Sequence, residues 1–145
     1  MKKLNKSMLC MLLTLSCATG FAQKDSRPER FAAYPQTVSL DKSLMINMLN
    51  YAEGTNVSVP ISADFQFTGT VVSQKKYDNM QTVIIRSDDN TVFQVSEVTR
   101  NDKSIVYAGR ILSHLHADGY TIKNINGEYS LKKFETAKIL EPCNL

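Results

Sequence analysis

The sequence predicts a mainly β fold: a small antiparallel barrel or sandwich of two similar three-strand meanders plus an edge strand, with one covering α-helix. Three observations carry this. From Asn56 onward apolar and polar residues alternate with a period of two, the pattern of half-buried strands. One segment, over residues 39–52, has apolar residues at helical spacing instead. Finally, Phe67-Thr-Gly69-Thr-Val71-Val-Ser73 is echoed 40 residues later by Tyr107-Ala-Gly109-Arg-Ile111-Leu-Ser113.

The chain has 145 residues, and the first 22 read as a secretion signal. Lys2, Lys3 and Lys6 form a positive start, Met8 to Leu15 is mostly apolar, and Gly20-Phe-Ala22 fits cleavage after Ala22. The rival reading is a lipoprotein anchored at Cys17. The apolar run is too short to span a bilayer, and no second run approaches that length, so no transmembrane segment is expected in the mature chain. The brevity of the signal points to a bacterial periplasmic or secreted protein. Its removal leaves 123 residues, enough for one modest core. It also changes the charge: the full chain is +3, but the mature part has 14 basic and 14 acidic residues. A neutral chain lacks the footprint of a phosphate binder, so no nucleic-acid partner is expected. Only Cys143 remains of three cysteines, which rules out an internal disulfide framework.

Residues 23–38, with charges and two prolines, read as an irregular lead-in. The helix follows over 39–52. Ser39 or Asp41 can cap it, Leu44, Met45, Met48, Leu49 and Ala52 share a face that packs on the core, and Gly54 can end it. Val57 and Val59 alternate with Ser58 and Pro60, and proline demotes that strand to an edge. Val83-Ile-Ile85 is a short apolar run consistent with a strand covered on both faces. Each copy of the echo leads through a β-branched run (Val83 to Ile85; Tyr120 to Ile122) to an aromatic-x-aliphatic strand (Phe93 to Val95; Tyr129 to Leu131). Gly69 and Gly109 fall mid-strand on the inward face, where a strongly coiled strand needs relief. Asn126-Gly127 marks a tight hairpin. Ser87 to Asn90, Asn101 to Lys103 and Asp118-Gly119 mark the other turns.

Chemistry-bearing constellations are sparse. His114-Leu-His116-Ala-Asp118 resembles the zinc motif of hydrolases of the metallo-β-lactamase type. That motif requires a histidine after the aspartate, where this sequence has Gly119, and a further histidine that it lacks. The spacing allows weak adventitious metal binding by His114, His116 and Asp118 and predicts no built metal site. There is no Gly-x-Ser-x-Gly elbow, phosphate loop or dinucleotide fingerprint. Asp88-Asp89 sits in a turn, where solvation explains it. No catalytic residue and no cofactor is expected, and the chain reads as an exported, non-enzymatic β-domain that binds a protein or other envelope partner.

The order aromatic-x-Gly-x-Val (Phe67, Gly69, Val71), β-branched run, aromatic-x-Gly-x-Ile (Tyr107, Gly109, Ile111), Tyr120-x-Ile122 and then Cys143 resembles the pro-segments of secreted zinc metallopeptidases of the reprolysin type. The overlap spans residues 65 to 143. The order is also similar to that of small uncharacterised secreted bacterial proteins. The first resemblance implies a thiolate that reaches the catalytic zinc and holds the enzyme latent. Only Cys143 matches that role, while Gly69, Gly109, Tyr107 and Tyr120 would be structural. In that family the protease follows its pro-segment. Here none follows Leu145, so the resemblance implies a stand-alone inhibitor or chaperone of a separate secreted metallopeptidase.

Overall fold

The period-two pattern becomes eight antiparallel strands in one sheet. The structure, a computed structural model, describes residues 26–136. The signal segment with Cys17, and Cys143, lie outside the described residues. The elements are β1 (Thr37–Ser39), α1 (Lys42–Leu49), β2 (Asn56–Pro60), β3 (Gln66–Lys76), β4 (Met80–Arg86), β5 (Val92–Thr99), β6 (Ile105–Leu112), β7 (Asp118–Ile125) and β8 (Glu128–Glu135). The strand order is β1-β8-β7-β6-β5-β4-β3-β2, so each strand from β2 to β8 pairs with its neighbour in sequence. The sheet curls into a half-barrel with edges at β1 and β2. Of the barrel and sandwich alternatives, the sandwich falls away because there is one sheet. The two echoed segments, β3–β5 and β6–β8, are its adjacent halves.

The inner face carries the core. Ile85, Phe93, Ile111 and Tyr120 form one cross-strand row, all fully buried. Val83, Val95, Ile122 and Leu131 line the row beside it. Met45, Met48 and Leu49 of α1 pack onto this face, as their helical spacing required. The helix is shorter than expected. Asp41, not Ser39, caps it, accepting from the Ser43 N–H at 2.8 Å. Ser39 belongs to β1, opposite Ser130 of β8. Ala52 is exposed, beyond the end of the helix.

Three local expectations are corrected. Val83 and Ile85 are buried, but Ile84 between them is only half-buried on the convex side. A single curled sheet has no second layer there. Asp118-Gly119 is no turn: both residues are buried and begin β7, and the turn lies before them. Part of the irregular lead-in is also strand, since Thr37 and Val38 pair with Lys132 and Leu131. Asn126-Gly127 forms the hairpin, both residues at positive φ (53° and 90°).

Gly69 and Gly109 do lie on the inward face, and the reason is close approach. A Cβ on Gly69 would overlap the Arg86 carbonyl, and one on Gly109 would overlap the Gln94 carbonyl. In both cases that carbonyl belongs to the residue paired with the glycine's successor (Thr70 with Arg86, Arg110 with Gln94). Tight coiling has pressed neighbouring backbones together at both places. At Gly109 the Ile122 Cδ1 would also stand only 2.9 Å away. Gly109→Ala is expected to destabilise the fold by about 2 kcal/mol, because a carbonyl gives way less readily than a side chain. The check is a urea midpoint that falls with unchanged slope.

The ladder between β6 and β7 is short, with register pairs only at Arg110/Thr121 and Ile111/Tyr120. Below them Tyr129 fills in: its hydroxyl accepts the Tyr107 N–H at 3.2 Å, with the two rings edge to face. A side chain thus satisfies an amide that the parting strands leave behind.

Candidate functional site

The residues singled out around the His-x-His-x-Asp stretch serve a structural clamp. Asp118 is 2% exposed, and its two oxygens accept the consecutive N–H groups of Arg30 (2.7 Å) and Phe31 (2.9 Å). The Ala117 N–H donates to the Pro28 carbonyl at 3.0 Å, and Arg27 donates to the His114 carbonyl at 2.7 Å. Further along, Lys133 donates to the carbonyls of Phe31 and Tyr34, and the Tyr120 hydroxyl donates to the Pro35 carbonyl at 2.6 Å. Residues 27–36 are therefore a strap bound across the sheet, mostly through its main chain. Phe31 anchors it at 1% exposure, within ring contact of Tyr34, Phe65 and Tyr120. Beside it Arg30 pairs with Asp89 and donates to the buried Thr91 hydroxyl.

The pieces of the suspected metal motif are not brought together. His114 is exposed on the turn, and the Asp118 carboxylate is occupied by the strap. The Nδ1 of His116 is buried without a hydrogen-bond partner. Among the described residues no three His, Cys, Asp or Glu side chains are grouped to hold a metal ion. Asp88-Asp89 also departs from simple solvation, since Asp89 bonds the Ser87 hydroxyl and the Thr91 N–H as well as Arg30.

Sequence reasoning missed the strap. The available signal was a pair of aromatics, Phe31 and Tyr34, three residues apart inside a charged lead-in. It also missed the pair at the other end of the inner face, where the Tyr107 hydroxyl donates to Glu97 at 2.6 Å. Burial first, and then the Glu97 carboxylate, push the Tyr107 phenol well above its ordinary value. Burial, and then the Asp118 charge, raise Tyr120. An unfolded phenol loses its proton near pH ~10 while these two keep theirs, so above that pH the native state holds more protons. Their contribution to stability is complete below about pH 10 and declines as pH rises. In an alkaline titration two of the six tyrosines are expected to ionise only as the near-UV circular dichroism collapses. Complete ionisation with the signal intact would contradict this.

Among the described residues the main chain is open along the five-residue β2 edge, along the three-residue β1 edge and where β6 and β7 part; β2 is the longer edge strand. Bonds from Val71 N–H to the Thr55 carbonyl (2.9 Å) and from Ile61 N–H to the Phe65 carbonyl (2.8 Å) fix the phase of β2. Thr55, Val57, Val59 and Ile61 direct their main chain toward β3, while Asn56, Ser58 and Pro60 direct theirs outward. Pro60, with no N–H to offer, sits on the open side, as an edge strand demands. Next to this edge a cleft of about 470 Å³ runs between Ser39, the first turn of α1 and Pro60-Ile61, with Leu44 and Asn47 in its wall. It is the seam where the half-barrel fails to close. No helix among the described residues is long and apolar enough to cross a membrane. No protein-family model, curated protein or solved structure matches this chain.

Proposed function

We propose that this chain is an exported, non-enzymatic β-domain that binds a protein partner by pairing an extended segment of that partner with β2. The open edge carries the reading. Asn56 and Ser58 present outward N–H groups on a strand whose far end, at Pro60-Ile61, lines a cleft with both polar and apolar walls. Strand addition draws affinity from such main-chain groups and specificity from an adjoining cleft. The non-enzymatic part is supported by what the prominent ionisable groups are doing: Asp118 holds backbone, Asp89 holds Arg30 and Glu97 holds Tyr107. Export rests on residues 1–22 and places the domain in the periplasm or outside the cell.

The test uses Ser58→Pro, which deletes an outward N–H and leaves the N–H groups facing β3 in place. Cross-linking in the native envelope is expected to capture a partner with the unaltered protein and to lose it with Ser58→Pro at an unchanged fold. The rival reading, inhibition of a secreted zinc peptidase through Cys143, predicts that Cys143→Ser loses the partner instead. Equal capture by all three proteins would remove both readings.

A further inference from the structure

We propose that the end of the half-barrel formed by the β3–β4, β5–β6 and β7–β8 turns seats against an anionic membrane surface. Six large apolar side chains are exposed among the described residues, and four of them gather at these three turns. Tyr77 (58% exposed) and Met80 close the first, Ile105 (48%) leaves the second and Ile125 (67%) enters the third. The meander requires the three turns to share an end, because strands β3, β5 and β7 run one way and β4, β6 and β8 the other.

The first two turns are also tied together, the Thr99 N–H donating to the Asn79 carbonyl at 2.8 Å. Met80, Val98 and Val106 stand in one cross-strand register row, so the apolar surface continues up the convex face at this end. α1 covers the inner side of the same end: Gln74 and Gln81 donate to the Leu49 carbonyl, and Lys42 lies over the Tyr107 ring. Its own exposed apolar residue is Ile46.

Charge selects the occupant. Exposed Lys75, Lys76, Arg100, Lys103 and Lys123 flank the turns, against the exposed carboxylates Asp78, Asp102 and Glu128. Asp102 is itself turned onto Ser104, accepting its N–H and hydroxyl. A net excess of two cations around singly protruding apolar tips, one of them an amphipathic tyrosine, suits the headgroup region of anionic lipid. The inference is independent of strand addition at β2, which lies at the edge of the sheet.

The chain contains no tryptophan, so one introduced indole reports its own surroundings. In the full chain, Tyr77→Trp places it at this end and Leu115→Trp on the exposed turn at the opposite end. On addition of phosphatidylglycerol-containing vesicles, Tyr77→Trp is expected to shift to the blue and to be quenched by brominated lipid, and Leu115→Trp to do neither. The comparison also separates tip insertion from any anchoring by residues 1–22. Adding Lys76→Ala to Tyr77→Trp should weaken vesicle binding about fivefold, and raised salt should weaken it further. No shift in Tyr77→Trp, an equal shift in Leu115→Trp, or binding to pure phosphatidylcholine that ignores salt would each overturn the inference. So would a concentration-dependent shift without vesicles, the mark of self-association through this end.

Discussion

Phe31→Ala is expected to destabilise the domain by roughly 3–5 kcal/mol, the cost of deleting a fully buried aromatic and leaving a cavity. The magnitude follows from where the ring lies. Phe31 packs 5.2 Å from Tyr120 and 5.6 Å from Phe65, centroid to centroid, where the strap meets the sheet. Without it, Tyr34 keeps its 4.7 Å contact with Phe65, and the strap loses its central anchor. Thermal and urea unfolding measure the loss. The strap should also become sensitive to proteolysis before the rest of the domain unfolds, because its remaining ties are mostly single hydrogen bonds. A loss below about 1 kcal/mol would show that residues 27–36 are peripheral, as the charged composition of the lead-in suggested.

Asp118→Ala is expected to cost a similar amount, roughly 3 kcal/mol or more, by another route. It creates little cavity. It strands the N–H groups of Arg30 and Phe31, each of which now donates to a carboxylate oxygen. Hydrogen bonds to a charged group contribute about 1.5–3 kcal/mol each, and buried orphaned donors bear their full desolvation penalty. Asp118→Asn keeps one acceptor oxygen and should recover about half of the loss. Both changes release the same strap, so Phe31→Ala with Asp118→Ala should fall short of the sum of the two. A fully additive pair would mean that ring and carboxylate stabilise separate parts of the fold.

These two residues also mark how far the sequence could be read. Alternation after Asn56, the proline in β2, the Asn126-Gly127 turn and the Leu/Met spacing of α1 each report a local preference of the backbone. Each appears in the structure where it was expected. The glycines at 69 and 109 were legible as inward positions needing relief. That their neighbours are the carbonyls of Arg86 and Gln94 followed only from the register. Asp118 reads as a turn residue by composition and, by its spacing from two histidines, as a weak candidate for adventitious metal binding. It begins β7 instead of a turn, and its oxygens accept N–H groups from residues 88 and 87 positions away along the chain.

What the sequence determined by itself was therefore the kind of most elements from the helix onward and the face most of those strands turn inward, because periodicity and turn chemistry act within a few residues. The tertiary structure decided that the sheet stays open between β1 and β2, where the lead-in docks, what Asp118 holds and which turns share an end. Those outcomes depend on sheet curvature and on contacts between segments far apart in the chain, and no local pattern encodes them.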